Sequence, residues 1–140
     1  MRLFLLHPAV VHFPIALLLS GLVAQAGSRW SRGRALLGAA ASWLLWIGVF
    51  ALWAAVGTGL LAERTAPHVP PAWEVLHEHR ELGLWTAGLF SVLGLGRILL
   101  KNRLLLLQLL LWVAGAGVLV STAWHGGELV FQYGMGVVSE

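Results

Sequence analysis

The chain has 140 residues, of which 59% are hydrophobic and only 11% are charged. A typical globular protein has about 25% charged residues, and a chain of this size buries too little surface to hide so much apolar area in one core. The composition excludes a soluble globular domain and a disordered chain, and it predicts an integral membrane protein. The net charge of +3 is therefore interpreted through its position along the chain, and we expect no nucleic-acid partner.

A bilayer core requires roughly 20 apolar residues per helix. The sequence predicts four such helices, which form an all-α up-and-down bundle and a single membrane domain over residues 1–140. The predicted helices cover residues 8–27, 35–61, 82–100 and 104–124. An outer loop is predicted at 62–81 and a C-terminal tail at 125–140. The tail is too short to span, and it is predicted to fold back over the outer mouth of the bundle.

The basic residues predict the orientation of the bundle. Two loops hold six of the nine, namely Arg29, Arg32, Arg34, Arg97, Lys101 and Arg103, whereas Arg2, Arg64 and Arg80 lie on the other side. Basic residues in short loops favour the cytoplasmic side. The sequence therefore predicts a multi-pass protein of the bacterial inner membrane with both termini on the outer, periplasmic side.

A secretory signal peptide is the alternative interpretation of the first apolar stretch, because residues 24–26 (Ala-Gln-Ala) are typical of a cleavage site. Only Arg2 precedes the stretch, and two histidines and two prolines interrupt its start. Cleavage would also leave a basic cluster outside. A retained membrane span is the preferred interpretation.

The six histidines all fall at the outer end of the predicted bundle: His7, His12, His68, His77, His79 and His125. Neutral imidazole suits iron, copper and zinc, and the chain has no cysteine to provide thiolate ligands. A haem b needs one or two axial imidazoles and an apolar space between helices. The pattern predicts one haem b, or two, near the outer face.

The depth of each histidine ranks the candidate ligands. His12 lies five residues beyond His7, which is about 7.5 Å deeper along a helix, and polar residues at such depth are usually functional. His12 is thus the first candidate, with His79 or His125 as the second ligand from another helix. His77 and His7 follow, and Arg80 is a candidate partner for a haem propionate. Interfacial histidines also bind headgroups, water or carbonyls, so a structural role stays open for each.

Two end motifs resemble the DUF2231 family of small bacterial membrane proteins. Residues 7–17 read HPAVVHFPIAL, similar to the family's HPxxVHFPIAL, and residues 126–137 read GGELVFQYGMGV, similar to GGxLVYxxGxGV. The family often has a histidine where Tyr133 stands, and a histidine before the third helix recurs, which His79 matches best. Similar domains occur fused to c-type cytochrome or Rieske domains, so the resemblance implies membrane electron transfer.

Three hypotheses follow. The first is a membrane cytochrome b subunit, an electron-transfer subunit rather than a stand-alone enzyme, which exchanges electrons with a c-type cytochrome and with quinol or a larger redox complex. The second is a haem-free accessory subunit of a respiratory or photosynthetic complex. The third is a non-haem copper, iron or zinc site made by His12, His79 and His125. No catalytic triad is expected, because the chain has no aspartate.

Overall fold

The computed structural model of the chain describes residues 3–30, 32–67, 69–100 and 103–136, and every regular element within these ranges is helical. The α-helices are α1 (Leu6–Val10), α2 (His12–Gly27), α3 (Arg34–Thr65), α4 (Trp73–Leu100) and α5 (Leu105–Phe131). Short 3-10 turns at Leu3–Leu5 and Pro70–Ala72 precede α1 and α4. Arg2, His68, Lys101 and residues 137–140, which the sequence arguments used, lie outside the described ranges.

Four helical stretches are long and apolar enough to cross a membrane: Leu3–Gly27, Arg34–Thr65, Pro70–Leu100 and Leu105–Phe131. Each stretch exceeds the roughly 20 residues that a bilayer core requires. The predicted all-α fold with four spans is therefore confirmed. The apolar side chains on the outside of the bundle contact the lipid bilayer. The side of the membrane on which each terminus lies stays a prediction.

The helices are longer than the apolar stretches that predicted them. Helix α3 continues beyond residue 61 to Thr65, α4 begins at Trp73 rather than at 82, and α5 continues beyond 124 to Phe131. Most of the predicted outer loop is therefore helix. The cause is that hydropathy marks where lipid ends, whereas a helix ends where its backbone hydrogen bonds end, and residues such as Leu, Glu and Arg favour helix in water as well.

A proline interrupts the first membrane span near its start. Val11 separates α1 from α2, although it keeps helical backbone angles and donates its N–H to the His7 carbonyl at 3.1 Å. Pro14 has no N–H to donate to the carbonyl four residues before it, so one bond of the helical series is missing at this point. Helix α1, which carries His7, packs against α3.

The four long helices form a closed ring of neighbours. Helix α2 packs against α3 and α5, and α4 packs against the same two helices. The largest fully buried side chain at the centre is Trp112 of α5, whose indole N–H donates to the Leu18 carbonyl of α2 at 3.1 Å. This bond satisfies a donor that would be costly to bury alone in lipid.

The two ends of the bundle differ in their polar residues. One end, called the histidine end below, holds His7, His79 and His125, where α1, α3, α4 and α5 meet. The other, called the arginine end, holds Arg34, Arg97 and Arg103 near helix termini. There, Arg97 donates from Nε to the Ser42 hydroxyl at 2.9 Å and from Nη2 to the Gly38 carbonyl at 3.2 Å, which ties α4 to α3.

Candidate functional site at the histidine end

A cavity of about 530 Å³ opens between the helices at the histidine end. Its wall combines α1 and the start of α2 with the end of α3, the start of α4 and the end of α5. Most of the lining side chains are apolar, and the polar ones include His7, His12, His79, Glu63 and Arg80. The cavity therefore has the composition usual for a cofactor site, a mainly apolar space with few polar groups.

His7 is held by α3 through its Nδ1 atom. The Nδ1 lies 3.0 Å from the Ala55 carbonyl oxygen, which can only accept, so Nδ1 carries the proton and donates it. The ring lies beside Gly59, one helical turn further along α3, where a Cβ atom would come within 3.0 Å of the His7 Cε1. The carbonyl fixes the tautomer and the glycine leaves room for the ring.

His79 repeats this arrangement against α5. Its Nδ1 lies 2.9 Å from the Thr122 carbonyl oxygen and donates to it. The ring lies beside Gly126, where a Cβ atom would come within 3.0 Å of the His79 Cε1. In both cases a carbonyl and a glycine four residues later on a neighbouring helix hold one imidazole. The cavity is thus lined by two imidazoles that are held in the same way, His7 by α3 and His79 by α5.

The two imidazoles lie close together. The ring centroids of His7 and His79 are 6.0 Å apart and the ring planes are inclined at 74°. Because each Nδ1 donates to a carbonyl, the unprotonated lone pair of each neutral ring is on Nε2. Within the described ranges, neither Nε2 makes a hydrogen bond. Carbonyl-anchored histidines with a free second nitrogen are the usual form of a metal ligand.

His125 has both ring nitrogens engaged. Its Nδ1 lies 2.8 Å from the Ser121 carbonyl of the same helix, and its Nε2 lies 3.2 Å from a carboxylate oxygen of Glu78 on α4. In this arrangement His125 joins α5 to α4 and offers no free nitrogen to a metal ion. Its predicted role as a ligand stays a prediction, and the contacts favour a structural role.

His77 and Arg80 belong to a polar network at the rim. Arg80 donates from Nη1 to Glu63 at 3.2 Å and from Nη2 to the His77 Nδ1 at 3.2 Å. A second carboxylate, that of Glu81, lies 4.0 Å from the same guanidinium. Arg80 and Glu63 line the cavity, whereas the exposed His77 does not. Arg80 thus lines the cavity beside Glu63, and its role as a partner of a haem propionate stays a prediction.

His12, the first candidate from the sequence, is exposed at the start of α2. It lines the cavity, but no ring contact joins it to another histidine among the described residues. Among all the residues that the structure describes, no three His, Cys, Asp or Glu side chains are grouped so as to hold a metal ion. His12, His79 and His125 are therefore not brought together as a three-ligand set.

Sequence reasoning missed the groups that hold the two imidazoles. The carbonyls of Ala55 and Thr122 are main-chain atoms, so no residue type marks them. The one available signal was the pair of small-residue spacings, Ala55 with Gly59 and Thr122 with Gly126, each one helical turn long. Glu78 is the other missed contact, because the sequence placed it in a loop.

The tail returns to this end of the bundle. Gly134 adopts a positive φ of 64° and donates its N–H to the Val130 carbonyl at 3.1 Å, which ends α5 in the left-handed form that favours glycine. Beyond this turn, Met135 and Gly136 line the cavity. The tail residues that the structure describes thus lie beside the cavity at the histidine end, and the side of the membrane on which they lie stays a prediction.

A comparison with protein families identifies one match. The model of a family described as "predicted membrane protein (DUF2231)" matches residues 4–139, which is nearly the whole chain. No curated protein matches the chain, and no solved structure matches it. The description of the family as membrane proteins agrees with the four apolar helices. The chain therefore belongs to the DUF2231 family of membrane proteins.

Proposed function

We propose that this chain is a membrane-bound b-type cytochrome subunit that binds one haem between His7 and His79. The observation that carries the proposal is the pairing of these two imidazoles. They come from different helices, lie 6.0 Å apart between centroids, and have Nδ1 tied to a carbonyl so that Nε2 is the nitrogen left for iron. Bis-histidine ligation is therefore proposed for α1 and α4.

The two rings lie close enough together to serve one metal ion. Their centroids are 6.0 Å apart, and His7 and His79 would each offer Nε2 to an iron bound in this cavity. Two imidazoles suffice for haem iron, because the porphyrin supplies the other ligands, whereas a zinc site draws three or four ligands from the protein. This difference favours haem over the non-haem copper, iron or zinc site.

The surroundings support the same cofactor. A porphyrin is large, flat and mainly apolar, and the cavity of about 530 Å³ is lined mainly by apolar side chains. Arg80, already paired with Glu63 at 3.2 Å, is the basic side chain available to an acidic propionate. When bound, haem supplies one-electron transfer, while the protein supplies ligation, orientation and exclusion of water.

The partners follow from this role. An electron-transfer subunit of the bacterial inner membrane with its site near the periplasmic face would exchange electrons with a c-type cytochrome or a larger redox complex. Quinol is the membrane-soluble partner of the same proposal. No separate observation favours a haem-free accessory subunit, which stays an alternative, together with the non-haem metal site, if the test below fails.

The test is a reduced-minus-oxidised visible spectrum of the detergent-purified protein, with haem quantified as the pyridine haemochrome. We expect a b-type α-band and one haem per chain. A colourless protein, expressed with haem in excess and purified under conditions that retain haem in a known b-type cytochrome, would overturn the proposal. Metal analysis of that sample would then decide between a non-haem site and an accessory subunit.

A further inference from the structure

A second pocket lies beside the histidine cavity, where α3 ends and α4 begins. It has a volume of about 520 Å³ and is formed by the end of α3, the connecting loop, the start of α4 and the tail. Glu63 and Arg80 line both this pocket and the histidine cavity. The two spaces are therefore adjacent, and this ion pair is part of their common wall.

The second pocket is amphipathic. Its apolar wall includes Leu60, Val69, Trp73 and Leu76. Trp73 is 59% exposed at the first residue of α4, the position typical of an interfacial tryptophan. At this position a lipid-soluble molecule can enter from the bilayer and place its apolar ring against the wall with its oxygens at the interface.

The polar groups of the pocket provide both a donor and an acceptor. Because Arg80 donates to the Nδ1 of His77, the proton of the neutral His77 ring is on Nε2, which makes no hydrogen bond within the described ranges. Glu63 accepts from Arg80 through Oε1 only. His77 can therefore donate to a ligand oxygen, and the second oxygen of Glu63 can accept from a hydroxyl.

We propose that this second pocket binds the ring of a membrane quinone or its quinol. A quinone ring is flat and apolar, and its oxygens accept hydrogen bonds, whereas the hydroxyls of the quinol also donate. The apolar wall with Trp73, the His77 donor and the Glu63 acceptor match these groups. The role of the bound quinol as an electron donor rests on the proposed haem in the adjacent cavity, but its binding does not.

Equilibrium dialysis of the full chain in detergent against decyl-ubiquinone and a short-chain menaquinone tests the proposal. We expect one saturable site per chain for at least one of the two. His77→Leu and Trp73→Leu should each weaken binding about tenfold, the effect of losing one hydrogen bond or one ring contact. Glu74→Gln is the matched control, because Glu74 is exposed on the same helix and does not line the pocket.

Two results would overturn the proposal. One is the absence of saturable binding for both quinones while circular dichroism shows the native helix content. The other is binding that His77→Leu and Trp73→Leu leave unchanged. Arg64 also lines the pocket and is the residue that would bind an anionic headgroup. Displacement of the quinone by phosphatidylglycerol that is lost in Arg64→Gln but kept in His77→Leu would assign the pocket to such a headgroup and would also overturn the proposal.

The same samples separate this proposal from the haem proposal. His79→Ala is expected to lack haem, and undiminished quinone binding in this variant supports the pocket by itself. A colourless wild-type protein that binds quinone would overturn the proposed function and leave the pocket in place. A protein that contains one haem but binds no quinone would overturn the quinone pocket and leave the proposed function in place.

Discussion

The main-chain carbonyls of Ala55 and Thr122 determine which nitrogen of His7 and His79 is available. A carbonyl can only accept, so each contact, at 3.0 Å and 2.9 Å, holds the proton on Nδ1 and leaves Nε2 as the free lone pair. His125 shows the contrast, because its second nitrogen contacts Glu78 at 3.2 Å. The three histidines at this end of the bundle therefore have two different hydrogen-bonding arrangements.

Removal of either paired imidazole tests these roles. We expect His7→Ala and His79→Ala each to reduce haem content by at least tenfold, because each substitution removes one of the two imidazoles proposed to hold the haem. His125→Ala removes a similar ring without taking a ligand, and it should keep most of the haem. The measurement is pyridine haemochrome per mole of purified chain, and free imidazole added to the two ligand variants should restore part of the spectrum.

Full haem in His7→Ala, or loss of haem in His125→Ala alone, would contradict the assignment. His12→Ala belongs in the same series, because the sequence ranks His12 first. Retention of haem in His7→Ala together with its loss in His12→Ala would move the ligand from α1 to α2.

The sequence predicted the candidate histidines but not the pair. Depth along the first span favoured His12, but depth does not determine which way a side chain faces, and His12 is exposed at the start of α2. Helix α1, which carries His7, packs against α3. The ring of His7 is thereby placed beside Gly59, a contact that no single-residue property could predict.

At the scale of helices, the glycines of α3 and α5 decide how closely the imidazoles pack. A Cβ at Gly59 or Gly126 would lie 3.0 Å from a ring carbon of a histidine, closer than such contacts normally are. The same two helices also contain Gly57 and Gly117. A Cβ added at either of these glycines would have no neighbouring atom within 4 Å. The chain therefore contains a matched control for each close contact.

We expect Gly59→Ala and Gly126→Ala to displace the ring and to lower haem occupancy severalfold or shift the α-band. Gly57→Ala and Gly117→Ala should leave the spectrum unchanged, because the added methyl meets no neighbour. The visible spectrum at equal protein concentration checks both pairs. Equal spectra for all four variants would show that close packing of the rings is not needed for the site.

The sequence predicted the helices better than their ends. The four apolar stretches are all helical, because lipid leaves the backbone no other means to satisfy its hydrogen bonds. The polar segment at 62–81 was predicted to be a loop, but most of it extends α3 and α4. His77 and His79 are consequently on a helix, where a separation of two residues points them apart, and only His79 faces the cavity.

For the whole molecule, the distribution of basic residues predicts that the histidine end faces the periplasm. The chain has no cysteine, so single cysteines can be introduced as probes. We expect Glu74→Cys at the histidine end to react with a membrane-impermeant maleimide in intact cells that have a permeabilised outer membrane. Arg32→Cys, before α3, should react only after the inner membrane is opened. The reverse labelling pattern would contradict the orientation.

The central proposal is that His7 and His79 together would hold one haem. Electron paramagnetic resonance of the ferric protein tests it most directly, because the signal reports both the number of imidazoles and the angle between their planes. With planes inclined at 74°, we expect one low-spin, strongly anisotropic signal that is lost in His7→Ala and in His79→Ala and kept in His125→Ala. A high-spin signal in the wild type, or a low-spin signal that survives both ligand substitutions, would contradict the claim.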